Sequence, residues 1–186
     1  MARVLTHVCC GPCFTAVHEE LVKDHEVAAL YYNPNIHPAL EWRRRLIYLR
    51  RFCDGQGTPL AVSPYEPKQY FGAVHSHEER GERCRRCYEI RLRETAQRAA
   101  ADRHDAFTTT LLISPFQDHE AVVEVGRALG RLFDVDFLYL DFRPLFRRGQ
   151  ATARSLQMYR QRYCGCVYSE TERFAAKIIR ETAVNR

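Results

Sequence analysis

The stretch that decides the fold is Val4-Leu5-Thr6-His7-Val8-Cys9-Cys10-Gly11-Pro12-Cys13, close to the amino terminus. Its first half, residues 4–8, predicts a strand, and Pro12 near a first turn favours a helix over 12–24. The apolar run 27–32 predicts a second strand, so the chain opens as strand, helix, strand. Three cysteines therefore lie where the first strand passes into the first helix.

The remaining sequence continues this alternation. A helix is expected over 39–52, because Trp42, Leu46, Leu49 and Cys53 share one face while Arg43, Arg44, Arg50 and Arg51 lie off it. Apolar runs predict three more strands, at 60–63, 106–109 and 137–140. Helical periodicity predicts two more helices, at 83–101 and 121–129. The last ~40 residues are expected to be helical, with an interruption at Cys164-Gly165-Cys166. We therefore predict an α/β fold.

The expected architecture is a single domain over residues 1–186. It contains a Rossmann-like parallel sheet of about five strands, flanked by helices. Ligands of such sheets bind at the carboxyl ends of the strands. The length of 186 residues, with 46% hydrophobic and 27% charged residues, fits one compact domain.

The charge composition permits an RNA partner. Three of the 28 basic residues are lysines and the other 25 are arginines, and the net charge is +5. Arginine offers planar, bidentate donors suited to phosphate, although a compositional bias towards arginine gives the same numbers. No apolar run approaches the ~18 residues that cross a bilayer, so we expect a cytoplasmic protein without a membrane partner.

Eight cysteines point to metal or redox chemistry, because no secretory signal supports an extracellular disulfide framework. Cys53 stands alone on a helix and is expected to be a small buried hydrophobe. The other seven form three tight groups, which are Cys9, Cys10 and Cys13, then Cys84 and Cys87, and finally Cys164 and Cys166.

Each group has a distinct chemical character. Thiols at a helix N-terminus favour the thiolate form, and the Cys84-x-x-Cys87 spacing points two sulfurs to one side. Together the first two groups have the ligand pattern of an iron–sulfur cluster or of tetrahedral zinc. A disulfide between Cys164 and Cys166 would be strained and easily reduced, hence suited to relaying electrons; extra metal ligands or inert thiols are the alternatives.

Two other functions are compatible with parts of the pattern. Cys10-Gly11-Pro12-Cys13 matches the active-site tetrapeptide of thioredoxin, but here it begins close to the start of the chain and follows Cys9 directly. An RNA-binding domain with a structural zinc is the non-enzyme alternative. A nucleotide-hydrolysing site is disfavoured, because a Gly-rich phosphate loop after the first strand is replaced by Cys9-Cys10-Gly11-Pro12-Cys13.

With these groups in place, the sequence resembles the cobalamin-independent epoxyqueuosine reductase family, known as QueH. The resemblance spans nearly the whole chain. Its ordered motifs, after His7-Val8-Cys9-Cys10-Gly11-Pro12-Cys13, are Tyr32-Asn33-Pro34-Asn35-Ile36-His37-Pro38 with Glu41 and Arg44, Cys84-Arg85-Arg86-Cys87-Tyr88 with Arg91 and Leu92, Thr109-Thr110-Leu111, Ile113-Ser114-Pro115-Phe116-Gln117, Asp141-Phe142-Arg143, and Tyr159-Arg160-Gln161 before Tyr163-Cys164-Gly165-Cys166.

The resemblance implies a reductase that removes the epoxide oxygen of epoxyqueuosine in tRNA, the last step of queuosine formation. It implies a [4Fe-4S] cluster held by Cys9, Cys10, Cys84 and Cys87. Cys13 is implied as a further metal ligand, to the cluster or to an additional iron, and Cys164 and Cys166 map to a redox-active disulfide. The chemistry of the reaction adds a hypothesis, in which an iron with an open coordination position holds the departing oxygen and the nearby dithiol stores the second electron. The implied partners are tRNA carrying epoxyqueuosine and an unidentified electron donor.

Several other residues are weaker candidates. Proton donation or substrate orientation is conceivable for His7, His37, Glu41, Asp118 and His119, although each is equally expected as a loop or capping residue. Contacts to tRNA phosphates are candidate roles for Arg83, Arg85, Arg86 and Arg91, which otherwise form a solvated helix face. A splayed nucleotide would need an aromatic platform, for which Tyr88 and Tyr163 are candidates.

Overall fold

The computed structural model describes residues 1–183 and contains one parallel sheet with helices packed against it. The strands are β1 (Ala2–His7), β2 (His25–Tyr31), β3 (Leu60–Val62), β4 (Ala106–Thr109) and β5 (Asp136–Phe137). The helices are α1 (Gly11–Leu21), α2 (Ala39–Gln56), α3 (Pro67–Val74), α4 (Glu82–Ala101), α5 (His119–Phe133), α6 (Phe146–Ser155) and α7 (Val167–Ala183), with short 3-10 turns at Thr110–Ile113 and Arg143–Leu145.

The strand order in the sheet is β3-β2-β1-β4-β5, and all four neighbouring pairs are parallel. The predicted α/β fold with five parallel strands and a helical C-terminal part is therefore confirmed. That the whole chain forms one domain stays a prediction, and its last three residues, 184–186, lie outside the described part.

The central strand β1 explains how the sheet forms a site at one edge. Its residue His7 is paired with Leu30 of β2 and with Thr109 of β4, so three strands end side by side. The segments that follow these strands begin with Val8, Tyr32 and Thr110. Side chains just beyond the three strands are thereby brought together, as the topology of parallel sheets requires.

The core is built from the faces that the periodicity predicted. Leu49 and Cys53 of α2 are fully buried, together with Phe14 of α1, Leu92 of α4 and Phe107 of β4. The interpretation of Cys53 as a buried hydrophobe is confirmed. Helix α1 packs against α2 and α6, and α4 packs against α5. These contacts fix the start of α1, which carries the first cysteine group.

Two elements differ from the sequence prediction. The fifth strand, predicted over 137–140, is only Asp136–Phe137, because its pairing with β4 covers Ala106 and Phe107 alone. Helix α3, Pro67–Val74, was not predicted; it buries only Tyr70 and Val74 and packs against α4. Within residues 1–183 no helix is long and apolar enough to cross a membrane.

Candidate metal centre

The first cysteine group converges on one point at the carboxyl edge of the sheet. The Sγ atoms of Cys9, Cys10 and Cys13 all lie within 4.8 Å of one another. Cys10 and Cys13 are buried and Cys9 is half-buried. The local sequence produces this cluster, because Cys9 and Cys10 end the loop after β1 and Cys13 lies in the first turn of α1. Three thiols this close form a metal-ligating group.

The environment distributes charge unevenly over these thiols. Burial raises the pKa of Cys10 to about 12. The pKa of Cys9 is held below its ordinary value, chiefly by hydrogen bonds from the thiols of Cys10 and Cys13, and also by the positive charge of Arg91. Of the three thiols, Cys9 is therefore the one whose ionised form is favoured, and it lies near the N-terminus of α1, where negative charge is favoured.

Two polar side chains outside the cysteine motif contact these sulfurs. The hydroxyl of Thr110 lies 3.4 Å from the Sγ of Cys9 and accepts a hydrogen bond from the Cys9 backbone N–H at 3.2 Å. Gln161 places its Nε2 2.9 Å from the Sγ of Cys10. The thiols are thus oriented by residues from the segments after β4 and α6.

A buried arginine connects the first cysteine group to the second. Arg91 of α4 is 1% exposed. Its guanidinium donates to Asn33 Oδ1 at 2.9 Å, lies 3.3 Å from His7 Nε2 and lies 3.7 Å from Cys87 Sγ. Burying a cation without an anion is costly. The position of Arg91 therefore fits a site that carries negative charge on its sulfurs.

A second buried arginine holds the third cysteine group. Arg45 of α2 is 2% exposed and donates from Nε to Glu41 at 2.8 Å. Its Nη1 donates to the carbonyl of Cys164 at 2.8 Å and its Nη2 to the carbonyl of Tyr163 at 3.2 Å. The Cys-Gly-Cys segment is anchored to α2 by these bonds, and the positive charge of Arg45 also acts on Cys10.

The second cysteine pair lies at the start of α4, as predicted. Cys87 is buried, which raises its pKa to about 12, and Cys84 is half-buried. Within residues 1–183, the cluster of close sulfurs contains Cys9, Cys10 and Cys13 and does not include Cys84 or Cys87. The link between the two groups runs through Arg91. That Cys84 and Cys87 share one metal centre with Cys9 and Cys10 stays a prediction.

The third pair presents two unlike thiols. Cys164 is exposed, and Gln117 Nε2 lies 3.6 Å from its sulfur. Cys166 is buried beside Cys87 and Tyr70, and its sulfur accepts a hydrogen bond from the Ser169 N–H at 3.3 Å. Both thiols are free. The arrangement places one thiol at the surface and the other next to the second cysteine pair.

The weaker candidates mostly have structural partners. Burial lowers the pKa of His7 to about 3, so its imidazole is neutral at pH 7. Asp118 caps α5 by accepting from the Ala121 N–H, and Glu41 binds Arg45. His119 lies 3.2 Å from the Tyr139 hydroxyl, and His37 stacks on Phe71. None of these contacts singles out a proton donor.

The prediction that arginines beside the second cysteine pair meet phosphates is wrong for Arg83 and Arg91. Both are buried, and Arg83 donates to Glu172 at 2.7 Å. Arg85 is exposed and Arg86 is half-buried, and they form ion pairs with Glu124 and Glu82. Tyr88 is also buried, with its hydroxyl donating to Gln117, so it offers no free face for stacking. Tyr163 is half-buried and its hydroxyl donates to the His37 carbonyl.

Sequence reasoning did not identify the roles of Arg45, Thr110 and Gln161. A signal existed for Arg45, because Glu41, Arg45, Leu49 and Cys53 recur at helical spacing and share the buried face of α2. Thr110 and Gln161 lie in motifs that carry the family resemblance, but no local pattern pairs them with the cysteines. Their contacts with Cys9 and Cys10 span more than a hundred residues of sequence.

Comparison with solved structures supports the fold. A crystal structure described as a predicted subunit of a tRNA methyltransferase from Methanocaldococcus jannaschii superposes with a TM-score of 0.53. The two sequences are 11% identical, and the superposition covers 79% of this chain and 75% of the other. At that identity the similarity concerns the fold alone.

Comparison of sequences is far more specific. Epoxyqueuosine reductase QueH from Dehalococcoides mccartyi is 38% identical over 175 residues, which cover 92% of this chain and 94% of the relative. The protein of the same name from Thermotoga maritima is 34% identical over 182 residues, covering 93% of each chain. The profile of the family described as epoxyqueuosine reductase QueH matches residues 4–172. The chain therefore belongs to the epoxyqueuosine reductase QueH family, a family of oxidoreductases.

Proposed function

We propose that this protein reduces epoxyqueuosine in tRNA to queuosine, the last step of queuosine biosynthesis. The observation that carries the proposal is the convergence of Cys9, Cys10 and Cys13 within 4.8 Å, in a chain whose residues 4–172 match the reductase family. We infer the substrate, epoxyqueuosine, from the name of the related reductases. A tRNA substrate implies that the reaction takes place in the cytoplasm.

The donor set fits an iron–sulfur cofactor. We assign Cys9, Cys10, Cys84 and Cys87 as ligands of a [4Fe-4S] cluster and Cys13 as a ligand of the cluster or of an additional iron. Thiolates are the ligands of such clusters. The buried guanidinium groups of Arg91 and Arg45 supply the positive charge that several thiolates in a low dielectric require. When bound, the cluster supplies electrons one at a time.

The protein's own residues orient and shield this centre. Thr110 and Gln161 contact the sulfurs of Cys9 and Cys10, and Arg91 fixes His7 and Asn33 beside them. His7 stays neutral because it is buried, so it adds no positive charge there. Cys10, Cys13 and Cys87 are buried as well, which shields their sulfurs from water, whereas Cys9 and Cys84 are half-buried.

The Cys164 and Cys166 pair completes the electron balance. Converting an epoxide to an alkene consumes two electrons and two protons and releases the oxygen as water. Oxidation of two thiols to a disulfide yields two electrons and two protons. One Cys164–Cys166 dithiol therefore balances one turnover, and an external donor, not yet identified, must reduce the disulfide again. Cys164 is the exposed residue of the pair, so we place the approach of such a donor on its side.

A thioredoxin-like exchange at Cys10 and Cys13 is disfavoured. Attack on a disulfide needs an accessible thiol with a lowered pKa. Both thiols are buried, and the pKa of each is raised, that of Cys10 chiefly by burial and that of Cys13 chiefly by its hydrogen bond with Cys10. A structural zinc would use the same sulfurs as the cluster, so metal analysis decides between them.

The experiment is a metal and sulfide analysis of anaerobically purified protein, with visible spectra before and after dithionite. We expect about four irons and four sulfides per chain and a broad band that bleaches on reduction. Cys87→Ser should lose this band, whereas Cys53→Ala, matched as a buried thiol outside the centre, should retain it. Zinc alone, or no metal after attempted reconstitution, would contradict the cofactor assignment.

A further inference from the structure

We propose that the exposed face of α2 and the adjoining Tyr159 form the surface that docks tRNA, with Arg44 and Arg51 contacting phosphates. This inference rests on the proposed function and adds where the RNA lies. We call the set Arg44, Tyr48, Arg51 and Tyr159 the arginine–tyrosine ladder.

The ladder is an alternation of stacked charged and aromatic groups. The Cζ atom of Arg44 lies 4.9 Å from the ring centre of Tyr159, and that of Arg51 lies 5.5 Å from the ring centre of Tyr48. The two tyrosine rings are 6.3 Å apart and inclined by 35°. Arg44, Tyr48 and Arg51 have the i, i+4, i+7 spacing that places them along one face of a helix. Stacking pre-orders both guanidinium groups.

The ladder's arginines are free to bind an anion. Among the described residues, Arg44 and Arg51 form no ion pair, and neither do their neighbours Arg43 and Arg50. All four are exposed. By contrast, the exposed Arg93 and Arg98 of α4 contact carboxylates at 2.8 Å and 2.6 Å. The surface of α2 therefore carries uncompensated positive charge, which complements a phosphate backbone.

The chemistry of the ladder favours RNA over an acidic protein. Guanidinium groups bind phosphate through two parallel hydrogen bonds, and tyrosine faces stack with unpaired bases. Sequence-specific RNA binding commonly uses splayed bases held by aromatic or arginine planes. A patch built only to attract an acidic electron donor would need the charges but not the stacked rings.

The ladder is continuous with the metal centre. The hydroxyl of Tyr159 donates to Glu41 Oε2 at 2.8 Å, and the other oxygen of Glu41 accepts from Arg45 at 2.8 Å. Arg45 in turn holds the carbonyl of Cys164. Two residues beyond Tyr159, Gln161 reaches the sulfur of Cys10. RNA bound along the ladder therefore lies beside the Cys-Gly-Cys segment.

The test compares tRNA binding by three forms of the cofactor-loaded protein. The wild type, the double variant Arg44→Ala/Arg51→Ala and the control Arg93→Ala/Arg98→Ala are titrated with an unmodified tRNA transcript at several salt concentrations. The control removes the same charge from arginines that are already paired. Unchanged visible and circular dichroism spectra establish that both variants are folded and loaded.

We expect the ladder variant to raise the Kd by about tenfold or more and to lower the slope of log Kd against log salt by roughly 2, one unit for each lost phosphate contact. The control should stay within about twofold of the wild type, the size of a surface effect without a direct contact. Equal Kd values and slopes for the wild type and the ladder variant would overturn the inference.

A second readout separates this inference from the proposed function. With dithionite as reductant, the ladder variant should raise the KM for epoxyqueuosine-containing tRNA and leave kcat within about threefold, because uniform binding is what it loses. A wild type that converts the nucleoside, together with a ladder variant of unchanged KM, would overturn only the docking surface. Normal tRNA binding with a rate that falls only when a protein donor replaces dithionite would reassign the ladder to that donor.

Discussion

Arg91 places a fixed positive charge among the sulfurs, and its contacts suggest what it does. Replacing it by Met removes the donor to Asn33 Oδ1 and the charge near Cys87 and Cys9. An unpaired buried amide oxygen costs about 1–3 kcal/mol of folding free energy. Losing the charge should also make the reduction potential of the bound centre more negative, by roughly 60 mV for a tenfold change in a one-electron equilibrium.

Potentiometric titration monitored in the visible band checks this prediction. Arg91→Lys is the matched control, because it keeps the charge and loses part of the hydrogen bonding. We expect its potential to lie nearer to that of the wild type than the potential of Arg91→Met does. Identical potentials for the Met variant and the wild type would show that Arg91 has a packing role only.

Cys164 and Cys166 give a second prediction at the scale of single residues. Replacing either with Ser should stop turnover from the first cycle, because the dithiol can no longer close to a disulfide, while the cluster spectrum stays intact. Cys53→Ala is the control, since burial keeps that thiol inert with a pKa of about 12. The assay is conversion of tRNA-bound epoxyqueuosine with excess reductant. Normal turnover by Cys164→Ser or Cys166→Ser would refute the relay.

In α5, close packing against the backbone before β5 leaves no room for a side chain at Gly130. A methyl group added at Gly130 would lie 2.9 Å from the carbonyl oxygen of Val135, which belongs to rigid backbone just before β5. Gly130→Ala should therefore lower the free energy of unfolding by about 1–3 kcal/mol, the cost of overpacking, despite the better helix propensity of alanine.

The matched control is Gly55→Ala in α2, where an added methyl group meets nothing within 4 Å. Because only the helix propensity changes there, we expect a gain of about 0.5–1 kcal/mol. Denaturant unfolding of both variants measures the two effects, with visible spectra as a check that the cofactor is retained. A Gly130→Ala variant with a higher free energy of unfolding than the wild type would contradict this prediction, because the backbone before β5 would then have moved aside without destabilising the fold.

The elements that sequence predicted well are those with long local periodicity. Helix α2 was located by the recurrence of Trp42, Leu46, Leu49 and Cys53, and the opening strand, helix and strand by Val4 to Tyr32. Helix α3 was missed because its stability comes from packing Tyr70 and Val74 on α4, a contact without a local pattern. Strand β5 was overextended because pairing with β4, not propensity, decides where it ends.

At the scale of the whole molecule, the sequence predicted least well which arginines are buried and which lie at the surface. Composition favours arginine at the surface, yet Arg45 and Arg91 are buried, and only their tertiary partners explain this. The arginines of α4 are buried or paired, which is why the proposed phosphate contacts lie on α2, whose exposed arginines form no ion pair among the described residues. Which cysteines come together was predictable in part, since Cys9, Cys10 and Cys13 are adjacent in sequence and in space.

Removal of the epoxide oxygen from epoxyqueuosine in tRNA changes the mass of the nucleoside. It is measured by mass spectrometry of nucleosides digested from epoxyqueuosine-containing tRNA after anaerobic incubation with the iron-loaded protein and dithionite. We predict a product lighter than the substrate nucleoside by one oxygen atom, formed by the wild type and not by Cys9→Ser. Unchanged epoxyqueuosine after incubation with protein that carries a complete, reducible cluster would contradict the account.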